Sequence, residues 1–144
     1  MQQFDDSEIE EILRRESDGV LAFASDDEPY AIPVSFGYDG AWIVFQFSKA
    51  DTGRKMAFIE DNPEVVLVVY DTNPNHSVES VLARGTIKKV PDEHQRAAFG
   101  TLQQNAEFPL DGSIWGQPPE DSAMEMYLLE PREVSGRSYG TGDI

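Results

Sequence analysis

Alternation of apolar and polar positions divides the chain into strand-like stretches separated by three helical ones. Residues 30–36 read Tyr-Ala-Ile-Pro-Val-Ser-Phe. A period of two sends Tyr30, Ile32, Val34 and Phe36 to one face and Ala31, Pro33 and Ser35 to the other. The first face suits a core; the second leaves a surface with little side-chain bulk. Asp39-Gly40 is a strong hairpin signal, and residues 42–48 are expected to return as the partner strand with Ile43, Phe45 and Phe47 on the apolar face. Residues 65–70 (VVLVVY) are apolar on both faces, the pattern of a central strand. Residues 19–24 predict a buried strand closed by the turn residues Asp26, Asp27 and Pro29. Residues 78–90 predict a long strand bent near Gly85, and residues 124–129 and 133–137 complete the set.

The first helix is expected to begin at Ser7, because Ser7 and Glu10 have capping-box spacing and Ile9, Ile12 and Leu13 form an apolar stripe. Glu10 with Arg14 and Glu11 with Arg15 add oppositely charged pairs four residues apart. A second helix is expected over residues 52–62, stopped by Pro63. A third runs over 92–105, with Phe99, Leu102 and Ala106 inward. Residues 71–76 read as a loop. Residues 107–122 hold Pro109, Gly112, Gly116, Pro118 and Pro119 and are expected to be irregular, a length of loop that usually carries function.

About six strands with hairpin connections and three short helices predict a mainly β fold, a closed or partly closed antiparallel barrel. The tight Asp39-Gly40 turn argues against a doubly wound parallel sheet. No internal repeat interrupts the pattern, so one domain is expected over residues 1–144, with an ordered core over 8–137 and a frayed end over 138–144.

Composition narrows the function. The chain has 144 residues, 40% of them hydrophobic, enough for a core without metal or disulfide support. It has no cysteine, which removes thiol nucleophiles and thiolate metal sites. Twenty-seven acidic residues against 11 basic ones give a formal charge of −16, unfavourable for nucleic acid or anionic lipid. No apolar run is long enough to span a membrane, and residues 1–6 lack the features of a secretion signal, so a cytoplasmic protein is expected. The acids are spread from Asp5 to Asp143, and seven arginines outnumber four lysines. That distribution resembles the surfaces of extreme halophiles.

The most informative stretch for chemistry is 48–55, Ser-Lys-Ala-Asp-Thr-Gly-Arg-Lys, where a strand ends and a helix starts. Two cations in a first helical turn oppose the helix dipole unless an anion is bound there. A phosphate would resolve the conflict, with Gly53 allowing close backbone approach, Thr52 offering a hydroxyl, and Arg54 and Lys55 supplying charged donors. The competing reading is that Asp51 caps the helix while Arg54 and Lys55 are solvated. The small face of Ala31, Pro33 and Ser35 suits a flat ring, and Pro33 lacks a ladder donor; protection of an edge strand explains Pro33 equally well. Trp115 either covers a ligand or anchors its loop, and Arg137 either meets an anionic substrate or is solvated. His76 and His94 are too few for a three-histidine metal site. Residues 71–82 fail as a calcium loop, because His76 stands in the glycine position and Leu82 in that of the terminal glutamate. No Walker sequence or nucleophile elbow occurs.

Taken in order, residues 30–36, Asp39-Gly40, residues 45–48, Gly53-Arg54-Lys55, Asn62-Pro63 and Ser80-Val81 ahead of Gly85 resemble the pyridoxamine 5′-phosphate oxidase-like, FMN-binding split-barrel family. The resemblance is nearest to its nitroimidazole-resistance-type branch. It implies a six-stranded Greek-key split barrel and a homodimer with FMN at the interface. It further implies that Arg54 and Lys55, after Gly53, hold the FMN phosphate, and that Pro33, Val34, Ser35 and Phe36 line the isoalloxazine ring. Phe47 and Ser48 would follow the ribityl chain, and Ser80 would stand beside the cofactor. Trp115 is a candidate cover for the cofactor and Arg137 a candidate substrate contact.

Two departures shape the expected activity. Relatives of the nitroimidazole-resistance type commonly carry histidine where this chain has Ser48, and Arg137 lacks the following histidine of the true oxidases. Nitroreduction is therefore in doubt and pyridoxamine phosphate oxidation is not expected. The expected function is FMN-dependent electron transfer from a nicotinamide-type donor to a small acceptor. The alternatives are a split barrel binding a deazaflavin coenzyme or heme, and a non-catalytic flavin-binding or stress-related module.

The charge yields a first prediction. Self-repulsion at −16 is felt in dilute buffer but screened beyond about 3 Å at 1 M salt. The melting temperature, followed by circular dichroism, should rise from dilute to molar salt; an unchanged value would contradict this reading.

Overall fold

The structure is a computed structural model and describes residues 2–50, 53–72, 77–105 and 123–140. In chain order the elements are β1 (Gln2–Gln3), α1 (Asp6–Arg15), β2 (Asp18–Ser25), β3 (Glu28–Ser35), β4 (Gly37–Tyr38), β5 (Ile43–Ser48), α2 (Arg54–Asp61), β6 (Glu64–Thr72), β7 (Val78–Lys89), α3 (Gln95–Asn105) and β8 (Met124–Tyr139). A 3-10 turn at Asp92–His94 leads into α3. The strands make one antiparallel sheet in the order β3-β2-β6-β7-β8-β5-β4, with β1 added against β8. Six strands are long, as the alternation predicts, and two are two-residue stubs. Among the described residues no helix is long and apolar enough to cross a membrane.

The sheet curls so that its inward positions meet. Leu21 and Phe23 of β2, Val34 of β3, Phe45 and Phe47 of β5, Leu67 of β6 and Val81 of β7 bury their side chains in one cluster, closed by Ile9, Ile12 and Leu13 of α1 and Phe58 of α2. Each such side chain contributes about 1.5–3 kcal/mol by leaving water. A second cluster lies on the other side of β5 and β8, where Val44 and Met126 pack under Phe99 and Leu102 of α3. Thus β5 is buried on both faces, although its sequence suggests only Ile43, Phe45 and Phe47 inward.

Turn chemistry fixes the connections. Asp26 and Asp27 both have positive φ, 48° and 66°, the conformation that lets a two-residue loop follow the twist of β2 and β3. At Asp39-Gly40 the expected turn forms, with the Asp39 carboxylate accepting the N–H groups of Ala41 and Trp42 at 2.9 and 2.7 Å. The hairpin it makes joins only β4 to β5, through Gly37–Val44 and Tyr38–Ile43. Residues 42–48 are therefore not the partner of residues 30–36: β3 pairs with β2 over its whole length, and β5 pairs with β8.

The predicted bend near Gly85 is a bulge, with the register shifting between Arg84–Glu133 and Gly85–Pro131. A Cβ on Gly85 would lie 2.0 Å from the Glu130 carbonyl oxygen, so only glycine permits this approach. Pro131 sits at the irregularity, where its missing N–H costs no ladder bond, and residues 124–129 and 133–137 form one continuous strand instead of two. The extra residue, Arg132, makes a two-pronged pair with Glu64 at 2.8 Å on each arm. That pair holds the Glu64 carboxyl below its ordinary pKa.

Other boundaries move for local reasons. Asp5, not Ser7, caps α1, its carboxylate accepting the Glu8 N–H at 2.9 Å. The Glu10–Arg14 pair forms, whereas Arg15 turns from Glu11 to Glu16 and to Glu79 on β7. The second helix starts at Arg54 and not at residue 52, with Gly53 as its N-cap. Asp71 and Thr72 belong to β6, paired with Glu79 and Val78, instead of opening a loop. Ser138 and Tyr139 are held in β8 by Gln2, Glu79 and Val78. Ala106, the stretch 107–122 with Trp115, and His76 lie outside the described residues.

Two buried amides tie the helices down. Gln95 Nε2 donates to Val90 O at 2.6 Å while its Oε1 accepts the Met126 N–H at 2.7 Å. Asn105 Nδ2 donates to the carbonyls of Leu13, Arg14 and Glu16, and its Oδ1 accepts the Tyr38 N–H. One side chain thus closes the C-terminus of α1 and fixes β4. Replacing it with alanine (Asn105→Ala) should cost about 2–4 kcal/mol, because buried carbonyls lose their partner. Urea unfolding checks this, and a loss within error of zero would refute the bracket.

Candidate functional site

Five residues separate the end of β5 from the start of α2, and the fold aims both at one corner. At the end of β5, Ser48 Oγ accepts the Ala50 N–H at 3.2 Å, and Lys49 N–H donates to Ala123 O beside the start of β8. Residues 51 and 52 lie outside the described residues, and with them the proposed Asp51 cap and Thr52 hydroxyl. The N-cap Gly53 is extended, supplies no side-chain cap, and is followed by a first turn with no acid in it. Arg54 and Lys55 occupy that turn instead.

Each cation rests on an aromatic ring. Lys55 Nζ stands 4.3 Å from the Phe47 ring centre. Phe47 is itself parallel to Phe45 at 6.1 Å and tilted against Tyr127 at 5.2 Å. The Arg54 guanidinium lies 5.6 Å from the Tyr30 ring and 6.0 Å from that of Phe58, and those rings stack on each other at 5.2 Å. Arg54 is also ion-paired with Glu28, at the start of β3. Both partners are more than half exposed, so the pair is worth no more than about 1 kcal/mol. Asp26 and Asp61 line the same cleft, with Ser25 donating to Asp61.

On β3, Ala31 and Pro33 are exposed and Ser35 is half-buried, giving the small outward face that the alternation predicts. Val34 and Phe36 point into the core, so only their backbone is available to a ligand. Ser35 Oγ and the Phe36 N–H both donate to Ser17 O, at 3.1 and 3.0 Å. Because β3 ends the sheet path, Pro33 occupies an edge. Register continues the outward face: Pro33 lies opposite Val20, Val20 opposite Val68, and Val68 opposite Leu82. Ser80 stands between Tyr70 and Arg137 in the adjoining row.

Tyr70 is 58% exposed and Leu82 40%, an apolar pair that site prediction from sequence passes over. Strict alternation along β6 and β7 would have found both, since each shares its parity with half-exposed neighbours. The site residues thus fall into two groups. Gly53, Arg54 and Lys55 meet Tyr30 and Phe47 at the α2 corner, whereas Ser80 and Arg137 share the outward sheet face with Pro33. Trp115 is outside the described residues.

A phosphate-bearing flat-ring cofactor fits what is present. The α2 corner offers a first turn whose N-cap glycine supplies no side-chain cap, a guanidinium and an ammonium, the donor set of an anion site. Beside it runs a strand face of small side chains along which a planar ring can lie.

Residues 5–138 match the pyridoxamine 5′-phosphate oxidase family, and the chain belongs to that family. Its fold is that of the family's split barrels. It is similar to an FAD-binding protein from Mesorhizobium loti, with a TM-score of 0.76, 22% identity, and coverage of 96% of this chain and 98% of the other. A Bacteroides thetaiotaomicron protein assigned to 5-nitroimidazole antibiotic resistance superposes with a TM-score of 0.75 at 18% identity, covering 96% and 87% of the two chains. An FAD-binding protein from Mycobacterium smegmatis gives 0.71 at 18%, covering 98% and 100%. At such identities the likeness is one of fold. An uncharacterised protein of Rhizobium meliloti is 26% identical over 132 residues, 86% of this chain and 85% of its own.

Behind the corner, Tyr127 is 9% exposed, its hydroxyl 3.7 Å from Met56 Sδ and donating to Glu125 at 3.4 Å. Burial, then the Glu125 charge, pushes its phenol above the ordinary tyrosine range. A folded-state value above the unfolded one, about 10, stabilises the fold fully below that pH and loses the contribution as pH rises through the raised value. Tyr127→Phe should therefore lose less stability than the parent between pH 9 and about 11, measured by urea unfolding. Equal losses in both proteins would show that the phenol is not the titrating group.

Proposed function

We propose that this chain is a flavin-binding protein, with FMN as its cofactor, that acts as a homodimer and passes electrons from a nicotinamide-type donor to a small acceptor. The observation that carries the reading is the α2 corner, where two cations occupy the first turn of a helix without a side-chain cap, next to a bulk-free strand. Arg54, Lys55 and the amides after Gly53 would take the phosphate. Pro33 and Ser35, with the backbone of Val34 and Phe36, would line the ring. Ser48 and Phe47 lie toward the sugar chain and Ser80 beside the ring. The flavin supplies the redox chemistry, so the protein's part is binding, orientation and exclusion of water.

Dimerisation is supported by the outward face, which no helix covers among the described residues and where Val20, Val68, Leu82 and Tyr70 leave apolar surface of a kind that marks protein contacts. A second copy meeting it face to face would make a two-fold interface. Arg137, opposite Ser80 in the β7–β8 ladder, would meet an anionic group of the acceptor. Ser48 in place of histidine argues against nitroreduction, and the lone Arg137 against the oxidase activity that gives the family its name. FAD is the second reading, favoured by the FAD-binding relatives, since it shares the ring and first phosphate of FMN.

Protein purified in molar salt should show flavin absorbance, release FMN equimolar with the chain on heating, and scatter light as a dimer. Arg54→Ala with Lys55→Ala should weaken FMN binding at least about tenfold. A colourless protein that takes up neither FMN nor FAD in molar salt would overturn the proposal.

A further inference from the structure

We infer that Phe47 and Tyr30 are positioning residues for the phosphate-binding cations, holding Lys55 and Arg54 by their ring faces. This deepens the flavin reading and rests on it. Lys55 and Arg54 stand on a turn whose dipole disfavours them, and Arg54 shares a cleft with the carboxylates of Asp26, Glu28 and Asp61. A long cationic side chain in such surroundings has many acids to turn toward, and ordering it costs rotamer entropy.

The geometry removes that freedom in the same way twice. Lys55 Nζ lies 4.3 Å from the centre of the Phe47 ring, well inside cation–π range. Phe47 cannot follow it away, because it is buried against Phe45 and Tyr127. Arg54 lies over Tyr30, whose ring is fixed by stacking on Phe58 and by contact with Phe23. Each seat is thus rigid and belongs to a strand and not to the helix, and Arg54 is held from β3 a second time by its ion pair with Glu28. A phosphate then meets two cations already in place, and the ordering cost is not charged against binding. The resemblance gives Phe47 a place along the ribityl chain; its ring face toward Lys55 gives it this second role.

The test separates phosphate from ring by comparing FMN with riboflavin, which lacks the phosphate, using quenching of flavin fluorescence in molar salt. Phe47→Leu keeps an apolar side chain and removes the ring. It should weaken FMN about three- to tenfold more than it weakens riboflavin, whose ribityl chain the same ring borders. Tyr30→Leu, at a half-buried position, should do the same, while Tyr30→Phe retains parental affinity. Equal weakening of FMN and riboflavin, or no change for either ligand in folded Tyr30→Leu, overturns the inference. If FMN binds the parent and Arg54→Ala or Lys55→Ala weakens it while both ring variants bind normally, only this inference fails. If the parent binds neither FMN nor riboflavin, the cofactor reading fails first.

Discussion

The fold depends on a close approach between β7 and β8 at Gly85. These are the two longest strands, 12 and 16 residues, and without a bend they would extend as a flat ribbon with one face of Val81, Ala83 and Ile87 in water. The Glu130 carbonyl fills the space that a Cβ would need, so the ladder slips by one residue and the pair curls. Curling brings β5, carried on the near half of β8, round toward β3 at the other end of the path, and α1 and α2 then close the cluster inside. Bidentate pairing of Arg132 with Glu64 fixes the residue left over by the slip to the neighbouring β6. Everything that positions the α2 corner follows from that curl.

The curl does not cover both sides of the sheet equally. On β5 and β8 the outer face is closed by α3, held through Gln95 and Asn105, and Val44 and Met126 are buried there. On β2, β6 and β7 no helix lies over the outer face among the described residues, and Val20, Val68, Tyr70 and Leu82 remain open in varying degree. A central strand such as β6 normally gains from burial on both faces. Here only its inward residues Val65, Leu67 and Val69 are buried, and among the described residues nothing packs over the outward half of its apolar side chains.

Much of this was legible in the sequence because alternation is a local property. The inward set of β3, the bend at Gly85 and the donorless edge at Pro33 are each fixed by a few adjacent residues, and each appears where the pattern puts it. Pairing is not local. Residues 42–48 carry a hairpin signal on their N-terminal side, yet most of their ladder is made with a strand some eighty residues later, and nothing in the segment encodes that choice. The first cap was misplaced because Asp5 and Ser7 are both good caps, and the choice between them turns on where the chain leaves β1. At the candidate site, Gly53-Arg54-Lys55 was legible as an anomaly of charge, whereas the rings beneath the cations and the ion pair with Glu28 come from β3 and β5, beyond reach of any motif.

Local rules are broken at the α2 corner and on the outward sheet face. A helix starts on cations without a side-chain cap, an edge strand gives up a donor at Pro33, and a central strand leaves Tyr70 in water. The cations at the helix start and the exposed Tyr70 each cost stability, whereas proline on an edge strand does not, and the rest of the chain keeps to the rules closely: turns with the φ values they need, glycine where a Cβ would clash, buried amides with partners. Departures confined in this way mark a surface shaped for something other than folding. A dianion at the helix start would offset the charges there, a flat ring would cover the small strand face, and a second copy would cover the valines and Tyr70. One such assembly would relieve the charges at the helix start and the exposed apolar face together, which is the physical reason to read them as parts of a single site.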